Sequence, residues 1–147
     1  MRFAKLFRRL RRSETGAAAI EFGLLGGFMI TLLLGVLQVG IAMQSYNALR
    51  SISADISRHA VVQYQTGNEM TTSQLANFGR NLATGSPYNL PANGLTNVTV
   101  ATAGTQRVTG ATEMTLTVSS QVSSILGMVG LHGFTISHAR PIFVIDE

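Results

Sequence analysis

From Phe22 to Met43 the chain runs for 22 residues without a charged side chain, and Thr31 and Gln38 are its only polar interruptions. About 20 apolar residues suffice to carry a helix across the hydrocarbon of a bilayer. A soluble-core helix of this length would keep a polar face, and this one has none. The pattern predicts a transmembrane helix over residues 17–43. The period then changes. Tyr46, Leu49, Ile52, Ile56, Ala60 and Tyr64 recur at spacings of three and four, one apolar stripe on an amphipathic helix. Arg50, Asp55 and Arg58 fall largely off the stripe, and Asp55 is expected to reach Arg58 at i+3. The second stretch is therefore an extension of the first over residues 44–67, stopped by Gly67 and Asn68. A continuous helix from Ala17 to about Gln65 would be about 70 Å long at 1.5 Å per residue.

A different rhythm follows. Leu75, Phe78 and Leu82 predict a short helix from about Thr72 to Ala83, with Gly85 after it. The stretch from Ser86-Pro87 through Pro91 to Gly94 reads as loop. Val98 and Val100 alternate with threonines, and Met114, Leu116 and Val118 alternate again, which predicts two half-exposed strands joined across Gly104–Gly110. Val122, Ile125, Leu126 and Val129 have helical spacing and predict a short helical turn. Phe134 and Ile136 open a last strand, where Pro141 argues for an edge position. Ile125–Leu131 is read as core in preference to an exposed patch. The fold class is α+β: a long N-terminal helix packed on a small antiparallel β-rich domain over residues 68–147. A core of that size is feasible but modest.

Charge sharpens the picture. Residues 1–16 hold six basic side chains against one acid, whereas residues 17–147 hold five arginines against six acids. A basic run can grip nucleic acid by neutralising phosphates. Directly before an apolar segment it instead holds that end of the chain in the cytoplasm, so no nucleic-acid partner is expected and residues 68–147 are expected on the extracytoplasmic side. The apolar stretch exceeds the 7–15 residues typical of a signal-peptide core, and no small-x-small site follows it. The span is expected to stay attached to the domain. With 46% apolar and 12% charged residues the chain is not wholly disordered. The absence of cysteine excludes disulfides and thiolate chemistry.

The junction of leader and span carries the most specific signal: Gly16, then Ala17-Ala18-Ala19-Ile20, then Glu21 and Phe22. With the basic leader before it and the apolar helix after it, this resembles a prepilin processing site. It is most similar to that of the TadE-like pseudopilins of the tight-adherence (Flp) pilus system, whose motif is glycine, four residues, glutamate and an aromatic. The resemblance is clear over about the first 45 residues. It implies that a membrane-embedded prepilin peptidase cuts between Gly16 and Ala17 in the bacterial inner membrane, removing a leader over residues 1–16. It also implies partners: other pilin or pseudopilin subunits and an ATPase-driven assembly platform. Independently, glycine at position 16 lets the chain open into a protease cleft. A carboxylate inside a bilayer is costly unless paired or near the interface, so Glu21 is expected either to pair with the new amine of a neighbour's Ala17 or to sit at the membrane edge. Gly23 and Gly27 form a GxxxG pair that lets helices approach closely.

Little else carries chemistry. His132 and His138, six residues apart, fit no strong metal pattern, and no nucleotide, protease or hydrolase motif is present. No catalytic residue, cofactor, metal or small-molecule substrate is expected. Asn97-Val98-Thr99 is a glycosylation sequon only where that machinery exists. A structural pilin-like subunit is the leading expectation, ahead of an uncut single-pass protein with a partner-binding domain. An anchored enzyme comes last.

Overall fold

The computed structural model describes residues 14–90 and 95–145. The basic segment up to Ser13, the stretch 91–94 expected as loop, and the terminal Asp146-Glu147 lie outside them. Helix α1 runs Glu14–Gln65 and α2 Thr72–Thr84; strands β1 (Leu95–Thr102), β2 (Thr112–Val122) and β3 (Phe134–Val144) follow, with a short 3-10 helix Ile125–Val129 between the last two. The architecture is the expected α+β. It divides into two compact units, one up to Leu37 and one from Gln38 on.

In the first unit only α1 is described, and its side chains face outward on every side. Helix α1 is long and apolar enough to cross a membrane. Its described residues run from Glu14, so Gly16 and Ala17 both lie within the helix.

The second unit holds the core. Leu49, Ile52, Ile56 and Ala60 of α1 pack with Leu75 and Ala83 of α2 and with Val98, Met114, Leu116, Val118, Ile142 and Val144 of the sheet. Two serines share that buried helix face. Ser53 Oγ donates to Leu49 O and Ser57 Oγ to Ser53 O, each at 2.7 Å. These bonds to the preceding turn satisfy both hydroxyls, and their small size lets the helix lie close to its neighbours. Tyr46, the first member of the predicted stripe, is 40% exposed and stands outside the core.

The three strands form one antiparallel sheet in the order β1-β2-β3. In central β2, Met114, Leu116, Val118, Ser120 and Val122 alternate inward. Pro141 lies in edge strand β3 opposite Thr115, where its missing N–H costs no ladder bond on the open side.

Helix α2 is closed at its start by a reciprocal cap. Gln74 N donates to Thr71 Oγ1 at 3.3 Å and Thr71 N to Gln74 Oε1 at 2.8 Å. Its buried face centres on Leu75, Ala76, Gly79 and Ala83; Phe78 and Leu82, expected on that side, are half-buried, and Phe78 stacks on His59 with centroids 3.9 Å apart. Gly79 sits where helix and sheet come closest. A Cβ there would lie 2.6 Å from Ile56 Cδ1 and 3.0 Å from Val98 Cγ1.

Two local expectations are corrected. Asp55 does not pair with Arg58: its Oδ2 accepts from Tyr88 Oη at 2.7 Å, a partner 33 residues away that packs over the helix. Burial, and then Asp55, push the Tyr88 phenol above its ordinary range. The stretch Ile125–Leu131 is not core as a whole. Leu126 is buried, but Ile125 is 38% and Leu131 55% exposed, because a five-residue 3-10 helix can turn only one side inward.

Candidate functional site

The residues singled out at the amino-terminal end all stand on α1 with their surroundings open. Gly16, Ala17, Glu21 and Phe22 are exposed, Phe22 to 80%. Among the described residues no ion pair includes Glu21. At 3.6 residues per turn, Glu21 falls one turn beyond Ala17 on the same face, with a rise of about 6 Å between them. Gly23 and Gly27 also share a face, about 140° around the helix from Glu21. A Cβ added at either glycine would meet nothing within 4 Å. Thr31, which interrupts the apolar run, satisfies its hydroxyl by donating to Gly27 O at 2.9 Å.

The other polar residue of the run does something the sequence pattern does not reveal. Gln38 is 8% exposed. Its Nε2 donates to Ser123 O at 3.1 Å, and its Oε1 accepts from Ile125 N at 2.9 Å. One amide side chain thus satisfies both a carbonyl and an N–H of the connection between β2 and β3. That connection is well determined locally. Ser124 Oγ caps the 3-10 helix by accepting from Leu126 N at 3.1 Å. The helix closes through Gly130 N to Gly127 O at 3.1 Å and Leu131 N to Leu126 O at 3.2 Å. Gly133 then passes so close to β2 that a Cβ on it would lie 2.5 Å from Val122 O. The one sequence signal for this anchor is a lone glutamine in an apolar run, since buried amides are retained where they have partners.

Beside the anchor lies an apolar groove of about 330 Å³, lined by Val39, Ala42, Met43 and Tyr46 of α1 and by Phe134 and Ile136 of β3. At its upper end Tyr46 and His138 meet edge to face, centroids 5.7 Å apart, with Tyr46 Oη 3.5 Å from His138 Nδ1.

The opposite end of the sheet carries the charged chemistry. Arg107 grips Glu113 through Nε, at 2.8 and 3.0 Å from the two carboxylate oxygens, and through Nη2. Arg107 N also donates to Glu113 Oε2 at 3.2 Å, and the guanidinium lies 5.4 Å from the Phe143 ring centroid. These donors hold the Glu113 carboxyl below the usual carboxylate range, against the opposing pull of burial. The arrangement closes the β1–β2 turn. Among the described residues no group of histidines and acids could hold a metal ion.

A family model described as TadE-like protein matches residues 16–58. The match lies wholly within α1 and begins at the glycine of the junction motif. Neither a curated protein nor a solved structure matches the chain.

Proposed function

We propose that this chain is a membrane-anchored pseudopilin or minor pilin of the tight-adherence pilus system, released from its basic leader by a prepilin peptidase that cuts between Gly16 and Ala17. Its role is structural, not enzymatic. It is held in the membrane by residues 17–43, cut on the cytoplasmic side, and then packed against other pilin-type helices at an assembly platform. The carrying observation is the coincidence of the Gly16…Glu21-Phe22 motif with the start of the family match, on a long helix with open flanks. Cleavage would free an amine at Ala17. An axial offset of about 6 Å between two parallel helices would bring the Glu21 carboxylate of one level with the Ala17 amine of the other. That pairing would offset the cost of a carboxylate at the membrane and set the register of the stack.

The test is N-terminal sequencing of the protein from its native host, with and without the peptidase. A mature chain beginning at Ala17 in the first strain, and at the leader in the second, is expected. Gly16→Ala should run as the precursor in both. One observation favours a second reading, an uncut single-pass protein: Gly16 lies within the described part of α1, so the helix must open there before a protease can reach the bond. Retention of residues 1–16 in cells with an active peptidase would establish that reading.

A further inference from the structure

We propose that the connection between β2 and β3 is a second membrane-embedded element, a non-spanning wedge whose apolar side chains sit among the acyl chains of the leaflet facing the domain. The proposal rests on the reading of residues 17–43 as a span, but not on the processing of Gly16.

Two rulers place the wedge. Along α1, Gln38 precedes Tyr46 by eight residues, about 12 Å at the helical rise. Along β3, Phe134 precedes His138 by four residues, about 13 Å at the strand rise. Tyr46 touches His138 at one end. Gln38 holds Ser123 and Ile125 at the other, where it lines one groove with Phe134. The hairpin end therefore reaches as far down as Gln38, which lies five residues, or about 7.5 Å, inside the end of the apolar run at Met43. Tyrosine is favoured at the boundary between hydrocarbon and water, and Tyr46 marks that level here.

The chemistry agrees with the depth. No Asp, Glu, Lys or Arg occurs from Phe22 to Leu49 on the helix, nor from Met114 to Ala139 on the hairpin. The charges of the hairpin, Arg107, Glu113 and Arg140, all lie toward its other end. Ile125, Leu131 and Phe134 are 38%, 55% and 46% exposed, and Phe134 lines one groove with Val39 and Met43. An exposed apolar patch of this kind needs a cover. Its continuity with the uncharged helix surface identifies that cover as lipid. The backbone at this depth is not left bare, since Gln38, Ser124 and the 3-10 turn bond it internally, as irregular backbone near hydrocarbon requires. His132 is the one titratable side chain on the connection.

The chain has no native cysteine, so single labels are direct. Leu131→Cys and Phe134→Cys, with Met43→Cys as the span reference and Thr105→Cys as the exposed control, carry bimane on the full uncut chain. The carrier is vesicles of phosphatidylcholine and phosphatidylglycerol. Spin-labelled lipid with the nitroxide at acyl carbon 5 should quench positions 131 and 134 at least half as strongly as 43, and aqueous iodide should quench them at least threefold less than 105. Iodide quenching equal to that at 105, without quenching by the lipid, overturns the proposal. Shielding from both quenchers that disappears as protein is diluted into lipid also overturns it, in favour of a second copy of the chain. Failure of the lipid to quench Met43 overturns the span itself and the wedge with it, and processing at Gly16 is tested separately.

Discussion

Replacing Gln38 by leucine tests the anchor directly. The side chains are close in size, so the change removes hydrogen bonds with little change in volume. It leaves two backbone groups without their partner: Ser123 O, which accepts at 3.1 Å, and Ile125 N, which donates at 2.9 Å. Each buried polar group left unsatisfied costs about 1–3 kcal/mol. Taking the lower bound for both gives about 2 kcal/mol, which is roughly a thirtyfold change in an equilibrium at about 1.4 kcal/mol per tenfold. The strands themselves keep their ladder bonds, so the loss should be confined to the connection. The assay is amide hydrogen exchange on the full chain in detergent micelles, followed at Ile125 and across residues 123–134. Gln38→Leu should speed exchange there by about thirtyfold or more and leave Leu116 and Val118 in central β2 within a factor of three. Gln44→Leu, an exposed change on the same helix, should do neither. Exchange at Ile125 unchanged within threefold would mean that the two bonds do not hold the connection.

Three further outcomes follow from the second unit. Leu116→Ala empties a fully buried position at the centre of the sheet and should lower unfolding stability by about 2–5 kcal/mol in denaturant titration. Gly133→Ala forces a Cβ against the carbonyl oxygen of Val122; backbone cannot rotate away as a side chain can, so a loss of about 1–3 kcal/mol is expected in the same titration. Because Arg107 holds the folded-state carboxyl of Glu113 below its unfolded range, the stabilisation is present above the unfolded value near 4 and disappears as pH falls through the folded value. Protection factors of the β1–β2 hairpin amides, corrected for the intrinsic pH dependence of exchange, should therefore fall in that acid window, and Glu113→Gln should flatten the dependence.

Much of this architecture is legible in the sequence because the relevant signals are local. The uncharged run from Phe22 to Met43 fixes a helix by itself, and the three–four stripe from Leu49 to Ala60 does become the buried face. The alternation of Met114, Leu116 and Val118 gives the inward face of β2, and Pro141 gives an edge strand. What is not legible depends on separation along the chain. Asp55 has Arg58 within reach at i+3, yet its partner is Tyr88, because the loop after α2 brings a phenol over the helix. Gln38 reads as a mere interruption of an apolar segment until β2 and β3 present it with backbone 85 and 87 residues away. The apolar letters of Ile125–Leu131 suggest a core, but composition cannot say that Leu126 is buried there while Ile125 and Leu131 stay exposed.

The two candidate features near the start of α1 divide the helix surface between them. Under the proposed reading, the Ala17–Glu21 face and the Gly23–Gly27 face, about 120° apart, cannot both meet one neighbouring helix, whose contact covers a much narrower arc. Each subunit must then meet at least two neighbours, and by different chemistry. On one side the contact is electrostatic, between a carboxylate and a freed amine, and it is directional along the axis because both groups occupy single positions. On the other it is van der Waals packing between backbones that glycine allows to come close, and it tolerates small axial slips. A stack built this way takes its register from the charged face and its density from the glycine face. Before cleavage the Ala17 nitrogen is an uncharged peptide group, so only the glycine face can act. Processing would therefore change which neighbour the helix can recognise as well as shorten the chain.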